Sequence, residues 1–462
     1  MDGFATRSNP GTIPITALSG RAFDAWLRGR SAATRNWLKD SGFTNERGKL
    51  ALVPGKDGKL AHVVLGLGDD PTMWDWAAAA TRVPAGRYTF DPTPPAELAS
   101  DIALAWALAL YRFDRYKAKP KARGVVLVWP AGADRTAVTT SAEAIMLGRD
   151  LVNTPAGDLG PAELCDAGIR VAQRWGATHE LVVGEGLLQR NYPTIHAVGR
   201  ASSRAPRLFD MRWGDPAAPK LTLVGKGVCF DSGGLDLKTA SGMRLMKKDM
   251  GGAASVLTLA QLVMGVGLPV RLRVMVPAVE NSVSANAYRP GDVIRTRKGL
   301  TVEIGNTDAE GRLILCDALA EAETEDPDLV VDFATLTGAA RTALGTEVPA
   351  LFSTDDAFAA AVVDAGRRLA DPVWQLPLHA PYRRHLDSSI ADLNNVGSVS
   401  EGGAITAALF LREFVGRRRR WAHVDTMAWN VSARPGRPAG GDIMGVRAMF
   451  RAIADRFAAK RA

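Results

Sequence analysis

The sequence predicts an α/β protein built on a mostly parallel or mixed sheet flanked by helices, preceded by a smaller α/β domain at the amino terminus. Three observations carry this. Short apolar runs of strand length alternate with longer runs of helical period from about residue 160 onward. A chain of 462 residues is too long for one ordinary core, and two domains are expected. Its 47% hydrophobic and 23% charged residues match soluble globular proteins and exclude disordered, collagen-like and disulfide-dense classes.

Residues 1–138 form the expected amino-terminal domain. HVVLGLG (62–68) and GVVLVWP (124–130) read as strands, with helices at TMWDWAAAATRV and ELASDIALAWALALYRF between them. VPAGRYTFDPTPP, rich in Pro and Gly, reads as a loop. SAEAIMLGRDLVNTP, Ser141 to Pro155, has helical spacing and stops at a Pro, so residues 139–158 are expected to link the domains. In the second domain, 159–462, LTLVGKGVCF, VRLRVMVPAV and DLVVDFATLTG read as strands, and GGAASVLTLAQLVMGV and LILCDALAEAE as helices. In such sheets reactive groups gather beyond the carboxyl ends of the strands.

Several function classes are disfavoured. No apolar run approaches membrane-spanning length, and MDGFATRSNPGTIP lacks a signal-peptide core, so a cytoplasmic protein is expected. Cys165, Cys229 and Cys316 show neither C-x-x-C spacing nor an even count, and the six histidines stand singly without H-E-x-x-H, so neither a disulfide framework nor a thiolate or histidine zinc site is indicated. The charge of +8 and the basic run Arg417–Arg420 permit nucleic-acid contact, but a run between a helix and a strand reads better as a solvated turn.

Two segments hold the chemistry. Val224–Ala254, VGKGVCFDSGGLDLKTASGMRLMKKDMGGAA, offers Lys226, Asp231, Lys238 and Asp249. GNTDAEGRL, Gly305–Leu313, offers Asp308, Glu310 and Arg312 between a strand-like and a helix-like run. Four carboxylates converging at strand ends would repel unless cations intervene, and divalent ions are the usual solution. Singly, each residue also has a structural reading. Thr307-x-x-Glu310 is a capping box, Asp249 a helix cap, Gly233-Gly234 a turn, and the lysines surface charges. No phosphate-loop fingerprint accompanies the glycines.

These residues, with LVNTPAGDLGPAEL, VPAVENSVSANAYRPGDVI, ATLTGAARTALG and EGGAITAALFLREFV, resemble the leucyl aminopeptidase family of metallopeptidases over about residues 145–450. The resemblance implies a carboxy-terminal catalytic domain, a homo-hexamer, and release of amino-terminal residues from peptides with a free amino terminus. It implies two divalent ions per chain, Mn or Zn with Mg or Co also compatible. Asp231 and Glu310 would bridge them, Asp308 would complete one site, and Lys226 and Asp249 the other. Lys238 would stabilise the developing oxyanion, and Arg312 would hold a bicarbonate acting as general base. Met246, Thr335 and Leu336 would line an apolar pocket for the first substrate residue, giving Leu-type but broad specificity. Asp236 departs from the family pattern and reads as structural.

Overall fold

The computed structural model describes residues 1–118 and 123–458. The chain divides into two compact units, Met1–Met146 with Ser432–Ala439, and Leu147–Val431 with Gly440–Ala462. The division falls inside the helix Arg135–Asn153.

The first unit carries a six-stranded sheet in the order Phe4–Ala5, Val125–Val128, Gly86–Phe90, Ile13–Ser19, Leu60–Gly68, Leu50–Pro54. All neighbours are parallel except the edge strand Leu50–Pro54. The GRYTF segment corrects the loop reading. It is an interior strand, because the alternation that places Tyr88 and Phe90 in the core outweighs the Gly and Pro at its flanks. TMWDWAAAATRV is also shorter than expected, a single turn at Met73–Trp76 followed by a 3₁₀ turn at Ala77–Ala79. The helix Ala96–Leu110 is apolar almost all round because two clusters cover it, one on Ile102 and Trp106 and one on Leu104 and Leu108. The late segment Ser432–Ala439 completes this unit, with the Arg437 guanidinium 4.8 Å from the Trp74 ring centroid.

The second unit is built on a nine-stranded mixed sheet. Four parallel strands form its middle: Trp421–Asp425, Leu329–Ala334, Lys220–Gly225 and Arg271–Asn281. Antiparallel pairings flank them, first Arg207–Trp213 and then Thr178–Val183 on one side and Ala350–Ser353 on the other. LTLVGKGVCF is two strands, Lys220–Gly225 and Gly227–Asp231, not one. The break is Lys226, whose amide donates to Phe333 O at 3.0 Å while its carbonyl accepts from Ala253 N at 2.9 Å. The second piece then pairs with Arg271–Asn281 alone.

The helix Gly251–Gly265 is buried on every side and packs on this sheet. Pro161–Trp175 shows standard end chemistry, with Pro at its first position, Glu163 accepting from Gly160 N, and Gly176 in the left-handed region beyond its end. Of the basic run, Arg419 is not a solvated side chain: it is mostly buried and pairs with Glu323 and Asp326. The three cysteines are buried free thiols. No helix among the described residues is long and apolar enough to cross a membrane.

Candidate active site

The carboxyl ends of the four central strands deliver Asp425, Thr335–Thr337, Lys226 and Asn281 to one edge of the sheet. Asp231 ends the strand Gly227–Asp231, and Glu310 opens the helix Glu310–Ala322. Lys226 Nζ lies 2.8 Å from Asp249 Oδ2 and 2.8 Å from Glu310 Oε1, and donates to Thr335 O at 2.9 Å. Lys238 Nζ lies 2.9 Å from Asp231 Oδ2 and contacts Asp308 Oδ1. Oxygens of Asp231, Asp308 and Glu310 fall within 4.8 Å of one another. Six of the seven residues expected to carry the chemistry thus form one cluster. The seventh, Arg312, follows Glu310 by two residues on the same helix.

The glycines explain how the cluster packs. A side chain at Gly311 would begin 2.5 Å from Lys226 Cε, so the NTDAEGRL glycine makes room for the lysine stem. Gly233 and Gly234 have φ of +91° and +69° and turn the chain back after Asp231.

The capping readings fail on contacts. The helix Glu310–Ala322 is preceded by Ala309 without a side-chain cap, and Met250, not Asp249, precedes Gly251–Gly265. Thr307 is engaged elsewhere. Its hydroxyl donates to Gly233 O at 2.6 Å, and its amide donates to Asp236 Oδ2 at 2.7 Å. Asp236 is therefore a clasp that pins the second motif to the first, consistent with its structural reading.

Electrostatics follow from burial. Burial and the neighbouring Asp249 raise the Asp231 carboxyl to about 6. Burial pushes Glu310 well above the carboxylate range, with Asp231 adding to it. Burial alone would lower Lys226, but Asp249, Glu310 and Asp231 overcome it and hold the ammonium protonated. Lys238 is raised against its own burial by Asp231 and Asp308. Burial lowers Arg312 to about 10, and its Nε is buried without a partner while Nη1 donates to Asn395 O at 2.7 Å.

Of the residues expected to line the first-residue pocket, Thr335 is buried, its hydroxyl donating to Asp249 Oδ1 at 2.8 Å, while Met246 and Leu336 are half-buried. Three supporting residues had no signal in sequence spacing. Asn281 Nδ2 donates to Asp231 Oδ1 at 2.9 Å and to Thr307 O at 3.0 Å. Asn395 accepts from Gly305 N and donates to Asn306 O, both at 2.8 Å. Asp425 accepts from the amides of Leu336 and Thr337.

Would divalent ions suit these residues? The donors are four carboxylates and the nitrogen of Lys226, which could coordinate once an ion took the place of its proton, and Glu310 Oε2 is buried with no hydrogen-bond partner. The donor set fits.

Parallel strands that bring acids and bases to one point beyond their carboxyl ends define an α/β enzyme with a polar catalytic centre. The profile of the cytosol aminopeptidase family catalytic domain matches residues 146–450, and that of the M17 aminopeptidase N-terminal domain matches residues 13–129. A probable cytosol aminopeptidase of Rhodococcus opacus (strain B4) is 40% identical over 398 residues, 82% of this chain and 79% of that protein. The crystal structure of the cytosol aminopeptidase of Coxiella burnetii superposes with a TM-score of 0.95 at 47% identity, covering 99% of this chain and 100% of that one. The bottromycin maturation enzyme BotP, in complex with Mn, superposes with a TM-score of 0.88 at 35% identity, covering 97% and 100%. The chain belongs to the cytosol (leucyl) aminopeptidase family, M17. It is an aminopeptidase, a peptide hydrolase.

Proposed function

We propose that this aminopeptidase works with two divalent ions, Mn or Zn with Mg or Co also compatible, held by Lys226, Asp231, Asp249, Asp308 and Glu310. The observation that carries this reading is the buried, unpartnered Glu310 Oε2 within the three-carboxylate cluster of Asp231, Asp308 and Glu310, which Lys226 joins to Asp249. A carboxylate stripped of water and of hydrogen bonds is costly unless a cation takes its lone pairs. The Mn named for the BotP complex supports the choice of metal.

Bound there, the ions would acidify the attacking water and polarise the scissile carbonyl. The chain's own residues do the rest. Lys238 keeps its proton because Asp231 and Asp308 face it, and so can stabilise negative charge growing on the carbonyl oxygen. The buried, unpartnered Nε of Arg312 suits a small anion, and bicarbonate held there would accept the proton of the water. Met246, Thr335 and Leu336 would line the first-residue pocket. Thr335 would present backbone and methyl, its hydroxyl being bound to Asp249. A homo-hexamer in the cytoplasm, acting on peptides with free amino termini, completes the reading, and the relatives' name of cytosol aminopeptidase supports the compartment.

The test is hydrolysis of Leu-p-nitroanilide by metal-stripped protein, then with Mn or Zn restored, beside the N-acetylated substrate. Activity should return with metal and spare the blocked substrate. Lys238→Ala should retain two ions yet lose turnover, while Asp308→Ala and Glu310→Ala should lose metal. Full activity in stripped protein would overturn the proposal.

A further inference from the structure

The first-residue pocket was expected to be apolar, yet the segments around it carry two cations, Arg341 and Lys248, that form no ion pair among the described residues. Three segments meet there. A side chain at Gly251 would begin 2.3 Å from Ala428 Cβ and 3.1 Å from Thr335 Cγ2, which ties the Met246–Gly251 turn, the Thr335–Gly338 turn and the chain after Asp425 together. Arg341 belongs to the helix Gly338–Leu344 that leaves this turn. Its guanidinium folds back over the turn, with Nη2 3.5 Å from where a Gly338 side chain would begin and Nη1 3.5 Å from Met427 Sδ.

No carboxylate among the described residues lies within ion-pairing distance of Arg341. Both acids of these segments are occupied, Asp249 by Lys226 and Thr335, and Asp425 by the turn after Thr335. The Asp425 oxygens accept from Leu336 N at 3.0 Å, Thr337 N at 3.2 Å and Thr337 Oγ1 at 2.6 Å. A second cation stands close by. Lys248 is 2% exposed and makes no ion pair; burial pulls its pKa down to about 8, opposed by Asp249 and Asp425 and reinforced by Arg341. A thioether is a poor partner for a planar five-donor fork, whose natural complement is a carboxylate.

We propose that Arg341, reinforced by Lys248, fits the first-residue pocket for an acidic side chain, so that peptides beginning with Glu or Asp are preferred over their uncharged isosteres. This rests on the assignment of Met246, Thr335 and Leu336 to that pocket. Partial burial strengthens such a pair relative to water, and a site built around an unmatched donor rejects the analogue that cannot satisfy it. Met246 and Leu336 would still receive the aliphatic stem, which would admit Leu as well.

The experiment compares kcat/KM for the p-nitroanilides of Glu, Gln and Leu with the Mn-loaded enzyme, since Glu and Gln differ in charge and hardly in shape. The wild type should favour Glu over Gln by about tenfold or more, the range of a charge-assisted hydrogen bond in a partly buried site. Arg341→Met should bring the Glu to Gln ratio to about one. Because the ratio is taken within each protein, a general loss of activity leaves it unchanged. Arg341→Glu should turn the preference toward Lys-p-nitroanilide, a gain that misfolding cannot produce. A wild-type Glu to Gln ratio at or below one, or a ratio unmoved by Arg341→Met, overturns the proposal. Failure to cleave even the Leu substrate would instead count against the metal-dependent reading of the site.

Discussion

Replacing Asn281 by Ala tests how the two acid-bearing loops are held in register. Asn281 is fully buried and bridges them, donating to Asp231 Oδ1 on the first and to Thr307 O, one residue before Asp308, on the second. The hydrogen bond to a carboxylate contributes about 1.5–3 kcal/mol. The bond to Thr307 O contributes less, about 0.5–1.5 kcal/mol, because Tyr288 also donates to that carbonyl, at 2.5 Å, and leaves it satisfied. Asn281→Ala should therefore cost about 2–4 kcal/mol in the larger unit. Groups that orient metal ligands without touching the ion typically change affinity by about 10–100-fold, and Mn binding should weaken by that much. The assay is calorimetric titration of stripped protein with Mn, with thermal unfolding followed in parallel. Tyr288→Phe, which removes only one of two donors to Thr307 O, should weaken Mn binding less than Asn281→Ala does. A Mn dissociation constant within twofold of wild type in Asn281→Ala would refute the argument that this amide sets the geometry of the cluster.

Two further predictions concern stability. Arg273 is buried between Asp210 at 2.6 Å and Glu321 at 2.8 Å, so Arg273→Met, which leaves Asp210 to Arg212 and Glu321 to Arg297, should destabilise the larger unit by about 1.5–3 kcal/mol in urea unfolding. The buried His423 has its pKa raised above the usual histidine value, because the adjacent Asp332 carboxylate outweighs burial. The His423–Asp332 interaction therefore contributes fully below about pH 6.5 and is lost as pH rises through the higher folded-state pKa. The melting temperature of the wild type should fall over that rise more steeply than that of His423→Gln, and parallel curves would argue against the pair.

What the sequence showed and what it concealed divide along contact range. Asp231, Lys238, Asp308 and Glu310 were visible because each motif places its polar groups within a few residues of a strand end. Asn281, Asn395 and Asp425 were not. Their partners lie 50, 89 and 88 residues away, and no spacing rule connects a strand-terminal Asn with a turn in another segment. The Thr307-x-x-Glu310 pattern shows the converse error. A local capping signal was genuine in composition, but Thr307 gained more from Gly233 and Asp236 across the fold. Glycine and proline misled at Gly86–Phe90, where flanking turn residues hid a short interior strand, and the Gly-Lys-Gly break stayed hidden inside an apolar run.

The return of Ser432–Ala439 to the first unit bears on how the protein is made. A ribosome delivers the chain from its amino terminus, and most domains close as soon as their own residues have emerged. Here the first unit must wait until Leu147–Val431 of the other unit has been made before it receives the stretch of chain that carries Arg437 to Trp74. Cutting the gene at the point where the sheets divide would give two fragments, each lacking or carrying eight residues that belong with the other. A circularly permuted chain beginning near residue 432 would instead deliver those eight residues before the rest of the first unit.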